Sequence, residues 1–228
     1  MSPALPSLIL FARAPVLGTV KTRLVARLTE PGALALYSAF LDDASRVYGR
    51  SPEWTSVLAA EPDPEDPALA SLFPPPWRRE AQGRGDLGQR LSTAFAREFL
   101  RGAPAAVAVG SDHPALSRAF LIEMLARLSR DAPASAIPAD DGGYCAIAFS
   151  AAAPFREALR DVPWSTDAVL EITHRRLAAE GVRLTLLPPA YDVDRPEDVD
   201  RLRRDLARRD PEEPDFPRAT ARALAELP

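Results

Sequence analysis

Short apolar runs alternate along the chain with longer segments whose apolar residues recur at helical spacing. A short apolar run is typical of a buried strand, and apolar residues at positions i, i+3, i+4 and i+7 indicate a helix with one buried face. The runs that predict strands cover 8–11, 55–59, 77–82, 105–109, 134–138, 144–149 and 183–187. The helical pattern starts near Thr19 and returns at 32–47, 86–100, 117–130, 166–180 and 196–209, with Asp86 as a candidate N-cap.

This alternation predicts an α/β fold with an open, mostly parallel sheet and helices on both of its faces. A chain of 228 residues suits one such domain, which we place at 1–210, followed by a C-terminal helical tail at 211–228. In open sheets of this kind, ligands bind beyond the carboxyl ends of the strands. Three polar clusters follow predicted strands directly, and they comprise the loop from Arg13 to Arg23, Asp112, and the pair Asp192 and Asp194.

Composition excludes several classes of protein. A hydrophobic fraction of 46% and a charged fraction of 26% are ordinary for a soluble globular protein. The net charge of −4 gives no sign of the basic face that nucleic-acid binding requires. No apolar run approaches the length of a membrane span. A single cysteine and the lack of a signal-peptide pattern predict a cytoplasmic protein, and nothing in the sequence indicates an oligomeric state.

The first polar loop carries the only lysine of the chain, Lys21, although the chain has 28 basic residues. The other basic residues are all arginine. Lysine is a compact point charge and arginine a planar fork, so a single lysine in such a chain suggests that this position needs the point charge. A turn with small residues and cations before a helix suits a phosphate group. The loop is not a Walker A motif, and it has too few glycines for a dinucleotide fingerprint. The alternative is a polar turn before a basic helix start. The predicted phosphate site comprises Ala12, Arg13, Gly18, Lys21 and Arg23.

Carboxylates in the other two clusters are candidate ligands for Mg²⁺ or Mn²⁺. Mg²⁺ prefers one or two carboxylates together with phosphate oxygens and water. Asp112 follows a buried strand, and Asp192 or Asp194 would supply the second carboxylate. The alternative is that Asp112 caps a loop or the following helix, and that Asp194 caps the last helix, which would leave Asp192 as the freer ligand. His113 fits a turn better than a ligand position.

A glycine-rich segment between two predicted strands is a candidate acceptor site. Adjacent glycines let backbone approach a ligand closely, although a type I′ hairpin turn explains the same residues. Trp164 could line the same pocket, and Cys145 is predicted to be a small buried hydrophobic residue. The residues predicted to bind the acceptor are Asp141, Gly142, Gly143, Tyr144 and Trp164.

Taken in order, these segments resemble the glycosyltransferase-A-like family of rSAM/selenodomain-associated transferases. The matching segments are Phe11-Ala-Arg-Ala-Pro15, Lys21-Thr-Arg-Leu24, Gly85-Asp-Leu-Gly88, Gly110-Ser-Asp-His-Pro114, Asp141-Gly-Gly-Tyr144, Trp164-Ser-Thr166 and Asp192-Val-Asp-Arg-Pro196. The resemblance implies a nucleotide-diphospho-sugar transferase fold. A more distant likeness links the chain to phospholactate and molybdenum-cofactor guanylyltransferases. His113 and Cys145 depart from the residues common in the family, which bears on the acceptor more than on the fold.

We therefore expect a Mg²⁺-dependent enzyme that transfers a nucleotidyl group from a nucleoside triphosphate to a small phosphorylated acceptor and releases pyrophosphate. Its catalytic residues would be Lys21, Arg13 and Asp112, because neutralisation of phosphate charge carries most of such catalysis. One alternative is a glycosyltransferase that uses a nucleotide-sugar donor. The other is a nucleotide-binding module without catalytic activity.

Overall fold

The structure of the protein is a computed structural model that describes residues 4–228. A seven-stranded sheet forms its centre. The first three residues of the predicted domain 1–210 lie outside the described residues. The strands are β1 (Ser7–Arg13), β2 (Thr55–Glu61), β3 (Arg78–Ala81), β4 (Ala105–Gly110), β5 (Ala134–Pro138), β6 (Tyr144–Ser150) and β7 (Leu184–Leu186). Their spatial order is β3-β2-β1-β4-β6-β5-β7, and β6 runs antiparallel to both of its neighbours. The predicted open, mostly parallel sheet is confirmed.

Helices cover both faces of this sheet. They are α1 (Val25–Gly49), α2 (Pro67–Leu72), α3 (Leu87–Leu100), α4 (Arg118–Ala126), α5 (Phe155–Leu159), α6 (Val169–Ala179), α7 (Pro196–Leu206) and α8 (Arg218–Glu226). Side chains of α1, α4, α7 and α8 pack in one hydrophobic cluster, and those of α3, α5 and α6 pack in another on the opposite face. The central strands supply both clusters, since Leu8 and Leu10 point to the first and Ile9 points to the second. The alternation of side chains along a strand therefore accounts for the two layers. No helix of residues 4–228 has the length and apolar character needed to cross a membrane.

Several predicted helix boundaries were wrong. The helix expected from Thr19 begins only at Val25, after a short 3-10 turn, because Gly18 and Lys21 take left-handed conformations with φ of 75° and 49°. It then continues as α1 through a kink at Thr29, where φ is 63°, just before Pro31. The helices predicted at 117–130, 166–180 and 196–209 are all shorter, spanning Arg118–Ala126, Val169–Ala179 and Pro196–Leu206. Asp86 is the N-cap of α3, as predicted, and its carboxylate accepts a hydrogen bond from Gln89 N.

The C-terminal helix α8 docks on α1 through a buried carboxylate. Asp43 of α1 is 3% exposed and accepts hydrogen bonds from Ala219 N at 3.1 Å and Thr220 N at 2.7 Å. These backbone groups have no partner within a helix, so an acidic side chain at this end satisfies them and complements the helix dipole. At the other end, Arg203 of α7 donates to the carbonyl oxygens of Leu224 and Leu227. Residues 218–227 are thereby tied to the body of the domain at both ends.

The topology determines where polar loops meet. Strands β1, β2, β3, β4, β5 and β7 are mutually parallel, so their carboxyl ends share one edge of the sheet. The antiparallel strand β6 starts at the same edge, which brings the segment before Tyr144 to it. The order of strands along the sheet reverses between β1 and β4, the point at which ligands bind in open α/β sheets.

Candidate active site

Lys21 is the centre of the candidate site. Its side chain is 4% exposed, and its Nζ lies 2.7 Å from Oδ1 of Asp112 and 2.7 Å from Oδ1 of Asp194. Burial by itself would lower the pKa of Lys21, but the two carboxylates more than offset it and raise the pKa above its ordinary value. The lysine is therefore held as a cation between two anions. Its Nζ also lies 5.9 Å from the ring centroid of Phe40.

Three separate stretches of the chain supply these three residues. Lys21 belongs to the loop after β1, Asp112 to the loop after β4, and Asp194 to the segment before α7. Two contacts join the second and third stretches, since Val193 N donates to Asp112 O at 2.9 Å and His113 Nδ1 lies 3.1 Å from Tyr191 O. Burial lowers the pKa of His113, so the imidazole is held as a neutral group in this contact.

The Asp194 side chain does not cap α7, so the alternative role considered for it from the sequence is wrong. The carboxylate of Asp198 accepts from Asp194 N at 3.1 Å and from Arg195 N at 2.7 Å, and it caps the start of α7 instead. The Asp194 side chain is thus free to turn toward Lys21. Asp192 lies next to it, and its pKa is raised, first by burial and then by the charge of Asp194. Of the two candidates for the second carboxylate, Asp192 and Asp194, Asp194 is the one that contacts Lys21.

The three predicted phosphate-binding cations do not converge on one point. Arg13 is 64% exposed and directs its Nε toward Oε2 of Glu61, at 3.1 Å. Arg23 is 71% exposed, and its Nη1 lies 3.8 Å from Oδ2 of Asp194. Lys21 is therefore the buried cation of the site, and the two arginines are solvent-exposed cations of the same loop region. Ala12, the remaining predicted phosphate contact, is buried at 2% exposure near the end of β1.

A buried tyrosine that the sequence did not single out joins the ends of β1 and β4. The hydroxyl of Tyr37, on α1, accepts from Arg13 N at 3.0 Å and lies 3.2 Å from both Arg13 O and Ser111 Oγ. It thereby links the strand that leads to Lys21 with the loop that carries Asp112. Only the helical spacing of α1 marks Tyr37 in the sequence, and that spacing indicates burial without indicating a polar contact.

The predicted acceptor residues form a second group at the same edge of the sheet. Asp141 Oδ1 accepts from Gly143 N at 2.9 Å, and Gly142 has φ of 87°. Leu170 N donates to Gly142 O at 2.9 Å, so the loop is joined to the start of α6. A methyl group on Gly142 would come within 2.1 Å of Asp167 O. The close backbone packing is thus a physical reason for glycine at 142.

Two aromatic residues lie beside this loop. The rings of Tyr144 and Trp164 meet edge to face, with centroids 6.2 Å apart. The Tyr144 hydroxyl and the Trp164 Nε1 are buried and have no hydrogen-bond partner among residues 4–228. The charge of Asp141 also contributes to the raised pKa of Asp192, after burial and the charge of Asp194. Cys145 is buried at 2% exposure, in agreement with the prediction of a small hydrophobe.

The carboxylates of Asp112 and Asp194 are the residues that could hold a divalent metal, with phosphate oxygens and water as its other ligands. Two carboxylate oxygens, one from Asp112 and one from Asp194, already converge on a single cationic nitrogen. Within residues 4–228 no group of three or more His, Cys, Asp or Glu side chains could hold a metal ion. Mg²⁺ binds through one or two carboxylates when phosphate oxygens and water complete its coordination. The donor set therefore matches a metal–phosphate group.

Comparison with known proteins places the chain in a family. Residues 45–166 match the family described as "Uncharacterized protein conserved in bacteria (DUF2064)", and this match covers more than half of the chain. The chain belongs to the DUF2064 family. No curated protein matches it significantly in sequence.

Solved structures show which fold this DUF2064 protein shares. One is a "putative nucleotide-diphospho-sugar transferase" from Desulfovibrio desulfuricans G20, with 26% identity and a TM-score of 0.87 over 98% of this chain and 95% of that one. The 4-diphosphocytidyl-2C-methyl-D-erythritol synthase of Anaerococcus prevotii DSM 20548 is 14% identical, with a TM-score of 0.57 over 90% and 97% of the two chains. Glucosyl-3-phosphoglycerate synthase of Mycobacterium tuberculosis, in complex with Mn²⁺, uridine diphosphate and glucosyl-3-phosphoglycerate, is 12% identical, with a TM-score of 0.50 over 89% and 76%. The predicted fold and the resemblance to nucleotide-diphospho-sugar transferases are confirmed. The fold is one that nucleotidyl and glycosyl transferases share.

Proposed function

We propose that this protein is a Mg²⁺-dependent nucleotidyltransferase, which transfers a nucleotidyl group from a nucleoside triphosphate to a small phosphorylated acceptor. One observation carries the proposal: a buried lysine and two carboxylates, from three distant segments, meet at the reversal point of the strand order. A cation and a metal-binding pair are the two components that a polyphosphate substrate requires, because catalysis of phosphoryl-type transfer depends mainly on positioning and charge neutralisation.

The roles of the residues follow from their positions. Lys21 would donate to oxygens of the triphosphate and stabilise charge on the departing pyrophosphate. Arg13 and Arg23, being exposed, would contact the outer phosphates. Asp112 and Asp194 would hold Mg²⁺, which supplies Lewis-acid neutralisation of the phosphate oxygens when bound. Asp192, adjacent to Asp194, is a further carboxylate at this edge.

The acceptor would lie on the second group of residues. The backbone of Gly142 and Gly143 allows close approach, Asp141 holds that loop in shape, and Tyr144 and Trp164 supply an aromatic wall. An oxygen of the acceptor phosphate would attack the α-phosphorus of the donor, a P–O bond would form, and the bond to the pyrophosphate oxygen would break. A phosphate nucleophile is ionised at neutral pH, so the step needs no strong general base.

A transfer assay tests this proposal. The purified protein is incubated with each nucleoside triphosphate or nucleotide-sugar, Mg²⁺ and a pool of phosphorylated acceptors, and the released product is identified. Pyrophosphate is the expected product. Release of a nucleoside diphosphate from a nucleotide-sugar would instead assign glycosyl transfer, and tight nucleotide binding without turnover of any acceptor would assign a binding module.

A matched pair of variants ties the activity to the site. Lys21→Met removes the buried cation, and loss of one such contact is worth about 2.7–4 kcal/mol of transition-state stabilisation, or roughly 10²–10³-fold in rate. Arg27→Met removes the same charge nearby, but Arg27 pairs with Asp200 at 2.6 Å, outside the carboxylate pair. We expect Arg27→Met to retain activity. Equal activity of the wild type and Lys21→Met would contradict the proposed role.

A further inference from the structure

The ammonium of Lys21 occupies the position between the two carboxylates that a metal ion would need. Its Nζ is 2.7 Å from an oxygen of each carboxylate, and the side chain is 4% exposed. The two carboxylates are 38% and 37% exposed, so solvent reaches them although it does not reach the lysine. Lys21 is therefore the counterion of this carboxylate pair.

We propose that Lys21 keeps free divalent cations out of the Asp112–Asp194 pair, so that metal enters only together with nucleotide phosphates. This inference rests on the proposed function, because it assigns the order in which the components of that same site assemble. It makes Lys21 a residue that selects metal–nucleotide over metal alone, in addition to its contact with phosphate.

The charges at the site give the physical reason. Lys21, Asp112 and Asp194 together carry one net negative charge. A free divalent ion that took the carboxylates would leave the buried ammonium without a partner and close to a second cation. An unpaired buried charge is strongly unfavourable, and like charges in a weakly polar environment repel. Among residues 4–228 the ion pairs of Lys21 are those with Asp112 and Asp194, so free metal has to displace the ammonium from both of its partners.

A metal–nucleotide complex removes this difficulty. Its phosphate oxygens provide a new anionic partner for Lys21 at the moment at which the carboxylates exchange the ammonium for the metal. The lysine needs to move only from a carboxylate oxygen to a neighbouring phosphate oxygen, and its stem stays near Phe40, whose ring centroid is 5.9 Å from Nζ. Each charge thus keeps a partner on both sides of the exchange.

The test measures binding of Mn²⁺ alone, by electron paramagnetic resonance of the free ion, to four forms of the full chain. The wild type is expected to bind Mn²⁺ weakly. Lys21→Met is expected to bind it at least tenfold more tightly, since the competing cation is gone. Lys21→Met combined with Asp112→Asn is expected to lose that gain, which locates it at the pair. Arg27→Met, the matched loss of one charge, is expected to bind as weakly as the wild type.

A second measurement uses only the wild type, and it keeps the inference testable even if Lys21→Met fails to fold. The affinity of the wild type for Mn²⁺ is measured with and without a non-hydrolysable nucleoside triphosphate. With the nucleotide present, the protein is expected to bind Mn²⁺ at least tenfold more tightly than the nucleotide alone binds it. Tight binding of Mn²⁺ by the wild type alone, or no gain in folded Lys21→Met, would overturn the inference. Either result can occur while the nucleotidyl transfer assay succeeds. Conversely, tighter Mn²⁺ binding by Lys21→Met with no transfer of any nucleotide would overturn the proposed function alone.

Discussion

The hydroxyl of Tyr37 gives the sharpest structural prediction, because Tyr37→Phe removes one oxygen and leaves the ring in place. That oxygen accepts from Arg13 N at 3.0 Å and lies 3.2 Å from Arg13 O and from Ser111 Oγ. Tyr37 is 3% exposed, so water does not replace the lost contacts without rearrangement. A buried polar group left without its partner costs about 1–3 kcal/mol.

For a domain of this size each kcal/mol corresponds to about 2–4 °C in melting temperature, so Tyr37→Phe should lower the melting temperature by about 2–12 °C. The same change should weaken binding of a metal–nucleoside triphosphate about tenfold or more, equivalent to about 1.4 kcal/mol. The reason is that the hydroxyl joins the strand leading to Lys21 with the loop that carries Asp112. Calorimetric unfolding measures the first effect, and titration calorimetry measures the second.

Tyr48→Phe is the matched control. Tyr48 is also on α1 and 5% exposed, and its hydroxyl donates to Leu116 O at 3.0 Å, a contact that involves none of the predicted site residues. We expect Tyr48→Phe to lower stability while it leaves nucleotide affinity unchanged. The reasoning is refuted if Tyr37→Phe has the stability of the wild type, or if both variants lose nucleotide affinity equally.

Three further predictions concern packing and reactivity. Gly142→Ala should destabilise the fold by more than Gly83→Ala. Both positions have positive φ, which costs an alanine about 1–2 kcal/mol, but of the two only the methyl group at 142 would meet backbone, at 2.1 Å from Asp167 O. Equal midpoints of urea unfolding for the two variants would count against this. Burial raises the pKa of Cys145 to about 12. Its thiol should therefore react with Ellman's reagent near neutral pH in the unfolded protein and hardly at all in the folded protein. Rapid reaction of the folded protein would disprove the burial. Asp43→Ala should cost about 0.5–2 kcal/mol and raise hydrogen exchange in α8, whereas unchanged exchange there would show that the cap contributes nothing.

The central strands of the sheet were predictable from sequence because they are buried on both faces. A continuous apolar run such as 105–109 has no amphipathic alternative, and the observed strand Ala105–Gly110 differs by one residue. Helix ends were less predictable, since they depend on backbone turns that apolar spacing does not encode. The left-handed conformation of Lys21 moves the start of the first α-helix to Val25, and Asp198 rather than Asp194 caps α7.

The candidate site was predictable to the level of which loops meet, because parallel strands bring their carboxyl ends to one edge. Which side chains pair with each other inside the site was not predictable. Sequence could not show that Lys21 would contact Asp112 and Asp194 directly, while Arg13 turns toward Glu61. Those choices depend on distances of a few ångströms between residues that are 48 to 173 positions apart in the chain, and no local pattern carries that information. The polar contacts of Tyr37 were not predictable for the same reason.

The central claim is that Lys21, Asp112 and Asp194 form one metal–phosphate site. A crystal of the wild type grown with Mn²⁺ and a non-hydrolysable nucleoside triphosphate tests it most directly, through the anomalous signal of manganese. The account predicts an anomalous peak coordinated by Asp112 and Asp194, with the triphosphate beside it and Lys21 Nζ moved onto a phosphate oxygen. A nucleotide bound elsewhere, or a manganese peak away from these carboxylates while Lys21 stays between them, would contradict it.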